Sequence, residues 1–204
     1  MFKLFNNPQP ANVWFNKAKA LLSLGRFNEG LSALDKELAI DPRNKDAWVL
    51  KGAVLSDLGR VEEAIGCCDK ALAIDPRDAN TWFCKGSWLC SLGRDEEAIG
   101  CCDKTLSIDS RNAEALFWKG SRLARLGQHE DAIKHYNEVL AINPRSEGAW
   151  HNKALSEDVL KRRREAVNSY RKFLEFMSSQ VDAKEIAFVR QRIQELERAL
   201  TDGH

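Results

Sequence analysis

No stretch of this sequence approaches the ~20 consecutive apolar residues that a membrane-spanning helix needs. The opening MFKLFNNPQP has one lysine and no apolar run long enough for a secretory leader. Neither sign of charge is in excess: 31 Lys and Arg stand against 30 Asp and Glu, leaving a net +1. That balance removes any global pull toward nucleic acid or anionic lipid, so only a local cluster could supply one. The six cysteines crowd into Cys67–Cys102 and include two adjacent pairs, which is not the framework of a small disulfide-stapled secreted domain. A cytoplasmic protein in a reducing compartment, with no membrane contact, is the expectation.

Catalytic signatures are missing too. His129, His135, His151 and His204 contain no i, i+4 pair that would set two metal ligands on one helix face. There is no GxSxG, phosphate-loop or HExxH pattern. The many carboxylates fall at helix starts and on faces that read as solvated. No enzyme activity, cofactor or metal is expected.

What the sequence has is self-similarity at a spacing of 34 residues. Trp14, Trp48, Trp82, Leu116 and Trp150 lie on one comb, Lys17, Lys51, Lys85, Lys119 and Lys153 on a second, and Gly25, Gly59, Gly93 and Gly127 on a third. A period of this size marks a stacked array whose units touch mainly their neighbours. Five units follow a lead-in over 1–10: 11–44, 45–78, 79–112, 113–146 and 147–180. Each reads as two helices. In the second unit Trp48, Gly52, Leu55 and Leu58 share one helical face, and Gly59 supplies a left-handed stop. Glu62 and Glu63 then open another helix whose apolar face is Ala64, Ile65, Cys68, Ala71 and Leu72, closed by Pro76. Asn44, Asp78, Asn112 and Ser146 stand one residue ahead of successive units as predicted helix caps.

The pattern Trp48–Gly52–Leu55–Gly59–Ala64–Cys68–Ala71–Pro76, with its counterpart Trp82–Gly86–Leu89–Gly93–Ala98–Cys102, resembles the tetratricopeptide repeat. The fifth unit departs from it, with Glu157 and Lys161 in place of Leu and Gly. The resemblance implies an all-α fold of antiparallel helix pairs in a right-handed superhelical stack. Over 181–204, Ile186, Val189, Ile193, Leu196 and Leu200 step by three and four. This fits a cap helix that closes the array, or a seam through which two copies join.

Ligands of such arrays lie on the concave face made by the first helices. Mapped by resemblance, that face carries Phe15, Val49, Phe83, Phe117 and His151 in one row, beside Asn16, Leu50, Cys84, Trp118 and Asn152 in the next. Small Ser87 and Ser121 leave room between the rows, and Arg125 stands at a polar edge. These residues are the expected site for a protein or peptide partner. The Lys and Asn set with which chaperone-tail-binding members hold a terminal carboxylate is absent in every register: Phe15, Lys19, Leu50, Asn80 and Cys84 occupy its places in the first.

Three clusters invite other readings. Adjacent helix residues diverge by about 100°, so Cys68 and Cys102 are expected in the core and Cys67 and Cys101 at the surface or groove edge. The lysine comb reads as buried stems whose ammonium groups meet Asp35, Asp69 and Asp103, with an anion-binding ladder as the alternative. Lys161-Arg162-Arg163-Arg164 replaces the fifth unit's turn glycine. Acidic neighbours and a lack of interleaved aromatics disfavour nucleic acid there and favour a solvated turn or a contact for an acidic partner. The reading as a whole is a binding scaffold, with self-assembly as the alternative.

Overall fold

The structure, a computed structural model, describes residues 12–178 and 181–201. The 1–10 lead-in and the tail from 202 lie outside the described residues. The chain forms two compact units, Met1–Arg94 and Asp95–His204. The first holds α1 (Val13–Ser23), α2 (Phe27–Ile40), α3 (Lys45–Asp57), α4 (Val61–Ile74) and α5 (Ala79–Ser91). The second holds α6 (Asp95–Ile108), α7 (Ala113–Arg125), α8 (His129–Ile142), α9 (Glu147–Val159), α10 (Arg163–Phe176) and α11 (Ala183–Thr201). Within each unit, helices pack as hairpin pairs, and the second helix of a pair also packs on the first helix of the next: α2 on α3, α4 on α5, α6 on α7, α8 on α9 and α10 on α11.

Two turns alternate, each with its own backbone device. Inside a pair, Gly59 sits at φ +76°, its N–H bonds to the Ser56 carbonyl, and the Arg60 N–H reaches back 2.8 Å to the Leu55 carbonyl. These two bonds satisfy carbonyls that the helix end leaves orphaned. Lys161 makes the same turn at φ +57°, with the Arg162 N–H 2.9 Å from the Glu157 carbonyl. Between pairs, a side-chain carbonyl or carboxylate accepts from the N–H two residues on. Asp41, Asp75, Asp109 and Asn143 do this for Arg43, Arg77, Arg111 and Arg145 at 3.0–3.2 Å. This turn survives Ser110, which stands where Pro42, Pro76 and Pro144 stand elsewhere, because the bond and not the ring shapes it. Trp48, Trp82 and Trp150 each donate their indole N–H to the carbonyl of that proline at 2.9–3.0 Å. Beyond Ser110 the matching position is Leu116, which has no such donor.

Asn44, Asp78 and Asn112 cap their helices, accepting from Ala47, Asn80 and Thr81, and Ala115. Ser146 does not. Its backbone has the extended cap conformation, but the shorter hydroxyl makes no cap bond. The first helix uses a partner that pattern reading missed: the fully buried Glu37 on α2 accepts from the Asn12 and Phe15 N–H groups at 2.9–3.1 Å and from the Asn44 amide at 2.9 Å. One carboxylate therefore ties the start of α1 to the cap of α3.

Small residues let paired helices approach. A Cβ on Gly120 would lie 2.9 Å from the Tyr136 ring and 3.3 Å from the Ala132 carbonyl, and one on Gly52 would meet Trp88 at 3.0 Å. Cys68 and Cys102 are core residues, as expected. Cys67 and Cys101 are core residues too, at 5 % and 4 % exposure, and the surface placement is corrected. The reason is that α4 lies between two helices. Cys68 faces Cys84 on α5, while Cys67, about 100° round, packs with Leu31, Val54, Leu55 and Ala64. Burial raises the pKa of both thiols, that of Cys68 to about 12, which leaves them inert.

Candidate functional site

The lysine comb resolves into structural clasps. Lys51, Lys85 and Lys119 reach Asp35, Asp69 and Asp103 on the preceding helix, each at 2.6 Å. The Lys51 and Lys85 ammonium groups also lie over the Trp48 and Trp82 rings at 5.5 and 5.6 Å. Lys153 finds Asn137 where its aspartate would stand and turns to Glu157 in its own helix at 3.7 Å. With their charges met by carboxylates, these four lysines do not form a free anion ladder. Lys17 lies over the Trp14 ring at 4.9 Å.

The predicted partner residues divide between the two units. In the first, Phe15 is half-buried on the α1–α2 core beneath the Lys19 ammonium, and Leu50 packs between that core and the α3–α4 core. Val49, Phe83 and Ser87 are half-buried, and Asn16 is exposed.

In the second unit, the first helices of two consecutive pairs, α7 and α9, bound a cleft holding two cavities. The larger, about 360 Å³, is lined by Glu114, Phe117, Trp118, Val139, Asn143, Ser146 and Gly148. The smaller, about 140 Å³, is lined by Ser121, Ala124, His129, Tyr136, Asn152, Leu155, Ser156 and Val159. Phe117, Trp118 and Ser121 recur at helical spacing along α7, and Gly148, Asn152, Leu155 and Val159 answer along α9. Phe117 is shared with the core. It lies against Tyr136 with ring centres 6.1 Å apart, and its edge would be 3.4 Å from a Cβ on Gly148. Trp118 is half-buried, with the Arg122 guanidinium 5.5 Å from its ring. Burial pushes the Tyr136 phenol up to about 12, with Arg122 and Asn152 opposing it, so the cleft floor carries no charge there.

Arg125 is exposed, yet its Nε lies 2.9 Å from the buried Asp95 carboxylate, which also receives Arg122 at 3.4 Å. His151 lies outside both cavities. It stacks on Phe173 at 4.7 Å, and its Nδ1 sits 3.2 Å from Glu185 on α11. Burial lowers its pKa, and the Glu185 charge opposes the shift.

Sequence reasoning placed Phe117, Trp118 and Ser121 at the cleft but did not single out Gly148, Leu155 or Val159 as site residues. Leu155 and Val159 are 37 % and 60 % exposed. They are apolar at i, i+4 outside the repeat's signature positions, which was the available signal. Gly148 stands where Asn12, Asp46, Asn80 and Glu114 stand in the other units.

The α11 seam faces inward. Val189, Ile193 and Leu196 are buried in one cluster with Tyr170 and Phe173 of α10. Asp158 on α9 holds Arg192 on α11 through two bonds of 2.7 and 2.9 Å. Among the described residues no cluster of His, Cys, Asp or Glu could hold a metal ion, and no helix is long and apolar enough to cross a membrane.

Residues 7–79 match the family model "Tetratricopeptide repeat", and residues 91–173 match "Anaphase-promoting complex, cyclosome, subunit 3". No curated protein matches in sequence. Among solved structures, a MamA protein is 24% identical with TM-score 0.77, over 81% of this chain and 90% of its own. MamA from Desulfovibrio magneticus RS-1 is 19% identical with TM-score 0.76, over 84% and 97%. YrrB, described as a TPR protein with an unusual peptide-binding site, is 22% identical with TM-score 0.75, over 86% and 90%. These likenesses show the fold. Two family models account for most of the chain, and the 34-residue comb is built into hairpin helix pairs: the chain belongs to the tetratricopeptide-repeat family.

Proposed function

We propose that the protein is a non-enzymatic interaction scaffold that holds a segment of a partner protein in the α7–α9 cleft, through apolar anchors. The observation that carries this is the pair of cavities of about 360 and 140 Å³ on one helix-lined cleft, beside half-exposed Trp118, Leu155 and Val159. An apolar strip of this kind, open instead of covered by bulky neighbours, marks a partner site. Helix-in-groove or extended-segment binding both suit a cleft walled by two helices. Phe15, Asn16, Val49, Leu50, Phe83 and Ser87 are proposed as contacts of the first unit, with Leu50 and Phe15 contributing mainly to packing. His151 is held by Phe173 and Glu185 and drops out of the contact set.

The test is a Trp118→Ala/Val159→Ser double variant in affinity capture from native lysate, with a thermal melt beside it. Loss of capture with a near-unchanged melt is the expected result. If capture persists, or if melt and capture fall together, the cleft is not the site. Self-assembly through Ile186–Leu200 would require α11 to leave α10, since the middle of the seam is already buried within the chain.

A further inference from the structure

The α7–α9 cleft ends at a turn most of whose charge is left unpaired among the described residues. Lysines 51, 85 and 119 are clasped by aspartates, Arg26 and Arg60 by Glu29 and Glu63, and Arg192 by Asp158. At the α9–α10 turn only Arg162 has a carboxylate within reach, Glu130 at 3.6 Å, which sets this turn beside the start of α8. Lys161, Arg163 and Arg164 are exposed and have no carboxylate partner among the described residues. Lys161 also holds a left-handed backbone at φ +57°, where Gly25, Gly59, Gly93 and Gly127 make the same turn at φ +72° to +78°. A side chain is disfavoured in that conformation, and such outliers concentrate where function requires them. No described residue forms an ion pair with the lysine.

The cleft leading to this turn is graded. The larger cavity lies at the N-terminal ends of α7 and α9, and the smaller lies about 10 Å further along, from the helix rise of about 1.5 Å per residue. The larger exists because Gly148 replaces the Asn, Asp or Glu of the other units and leaves the Phe117 edge open. The basic turn follows about another 10 Å on. At about 3.3 Å per residue, an extended chain spans each step in three residues.

From this order we infer that the cleft takes an acidic partner segment: a bulky apolar or aromatic residue in the larger cavity, a smaller aliphatic one three residues away in the second, and carboxylates beyond it on Lys161–Arg164. This rests on the cleft reading above and adds the partner's chemistry and spacing to it. The gradient of apolar to basic fixes which end of the segment lies where, as complementary charge does at interfaces generally.

The experiment uses the full chain and fluorescein-labelled peptides with Trp, then Leu three positions on, then a block of glutamates after a further three, made in both chain directions. A matched set carries glutamine in place of glutamate. In fluorescence polarisation at low salt, the glutamate peptide in one direction should bind about tenfold more tightly than its glutamine match. Salt should erase that advantage. Arg163→Glu/Arg164→Glu should weaken the glutamate peptide about tenfold and leave the glutamine peptide alone, as expected for two surface pairs reversed. Gly148→Leu should weaken both peptides. Equal binding of the two peptides would overturn the acidic assignment and leave the cleft reading standing, whereas no binding by any peptide would remove both. Tighter binding of a single-stranded oligouridylate, abolished by the same arginine reversal, would also overturn the proposal and give the turn to nucleic acid.

Discussion

Replacing Lys161 by glycine should stabilise the protein while weakening the proposed site. Lys161 closes the α9–α10 turn at φ +57° with both backbone bonds of the motif in place, so the substitution changes neither the hydrogen bonds nor any packed contact. A left-handed conformation costs a side-chain-bearing residue about 1–2 kcal/mol. Glycine gives back about 0.4–1 kcal/mol through the freer unfolded chain. The net gain is about 0.5–1 kcal/mol, or roughly 1–4 °C in the melt of a chain of this size. Lys161→Ala separates backbone from charge, because alanine removes the ammonium group but keeps the strain. Differential scanning calorimetry at two salt concentrations is the assay. Glycine should raise the melt at both, and alanine should raise it at neither. If alanine stabilises as much as glycine, and only at low salt, then repulsion within Lys161–Arg164 and not the backbone is the source, and the strain reasoning fails. The same glycine variant should bind the glutamate peptide more weakly, so stability and binding move in opposite directions at one residue.

Two further outcomes concern the same end of the chain. Glu157, 4 % exposed, occupies the place of Leu55, Leu89 and Leu123, and burial raises its pKa despite the Ser169 hydroxyl at 2.7 Å and Lys153. Glu157→Leu/Ser169→Ala removes both partners of the buried bond and should raise the urea midpoint by the equivalent of about 1–3 kcal/mol at pH 7; a lower midpoint would show the pair to be net stabilising. A raised carboxyl pKa favours the folded state below it and loses that contribution as pH rises through it, so the gain of the double variant should shrink toward pH 4.5. His151 has the opposite sign: its lowered pKa means the neutral ring is favoured on folding, stability is full above about 6.5, and it declines as pH falls below that value. His151→Phe keeps the stack on Phe173, gives up Glu185, and should flatten the melt between pH 6.5 and 5; an unchanged slope would assign that window to other groups.

The scaffold was legible because its causes are local and repeated. A glycine needed for a left-handed turn, an Asn or Asp at a helix start, and a small residue at a close approach each leave a mark at a fixed spacing, and five copies reinforce it. The lysine–aspartate clasp was legible for the same reason. Glu37 was not, since Ala71, Thr105, Val139 and Phe173 hold its place in the later units and a single substitution has no period. Cys67 and Cys101 misled because the 100° rule assumes one covered face, whereas a helix flanked on both sides buries two. Half-burial was also invisible: Phe117 and Leu50 look alike as groove residues, and each packs against two cores, while Phe117 also borders a cavity.

The residues that escaped pattern reading share a property. Gly148, Leu155 and Val159 all break the repeat, as Lys161 does, and the four fall within one helix and the turn that follows it. A departure that served stability would be expected to relieve a cost, but Lys161 adds one by its backbone, Glu157 adds one by its burial, and Val159 leaves an apolar side chain 60 % exposed. Three locally unfavourable choices along α9 and its turn, beside two cavities and a cluster of cations of which Arg162 alone meets a carboxylate among the described residues, are hard to account for by folding and simple to account for by a ligand. The consensus positions hold α7 and α9 at a fixed separation. The departures between them give that cleft its unequal pockets and its charged end, and it is there that a partner of the chain should be read.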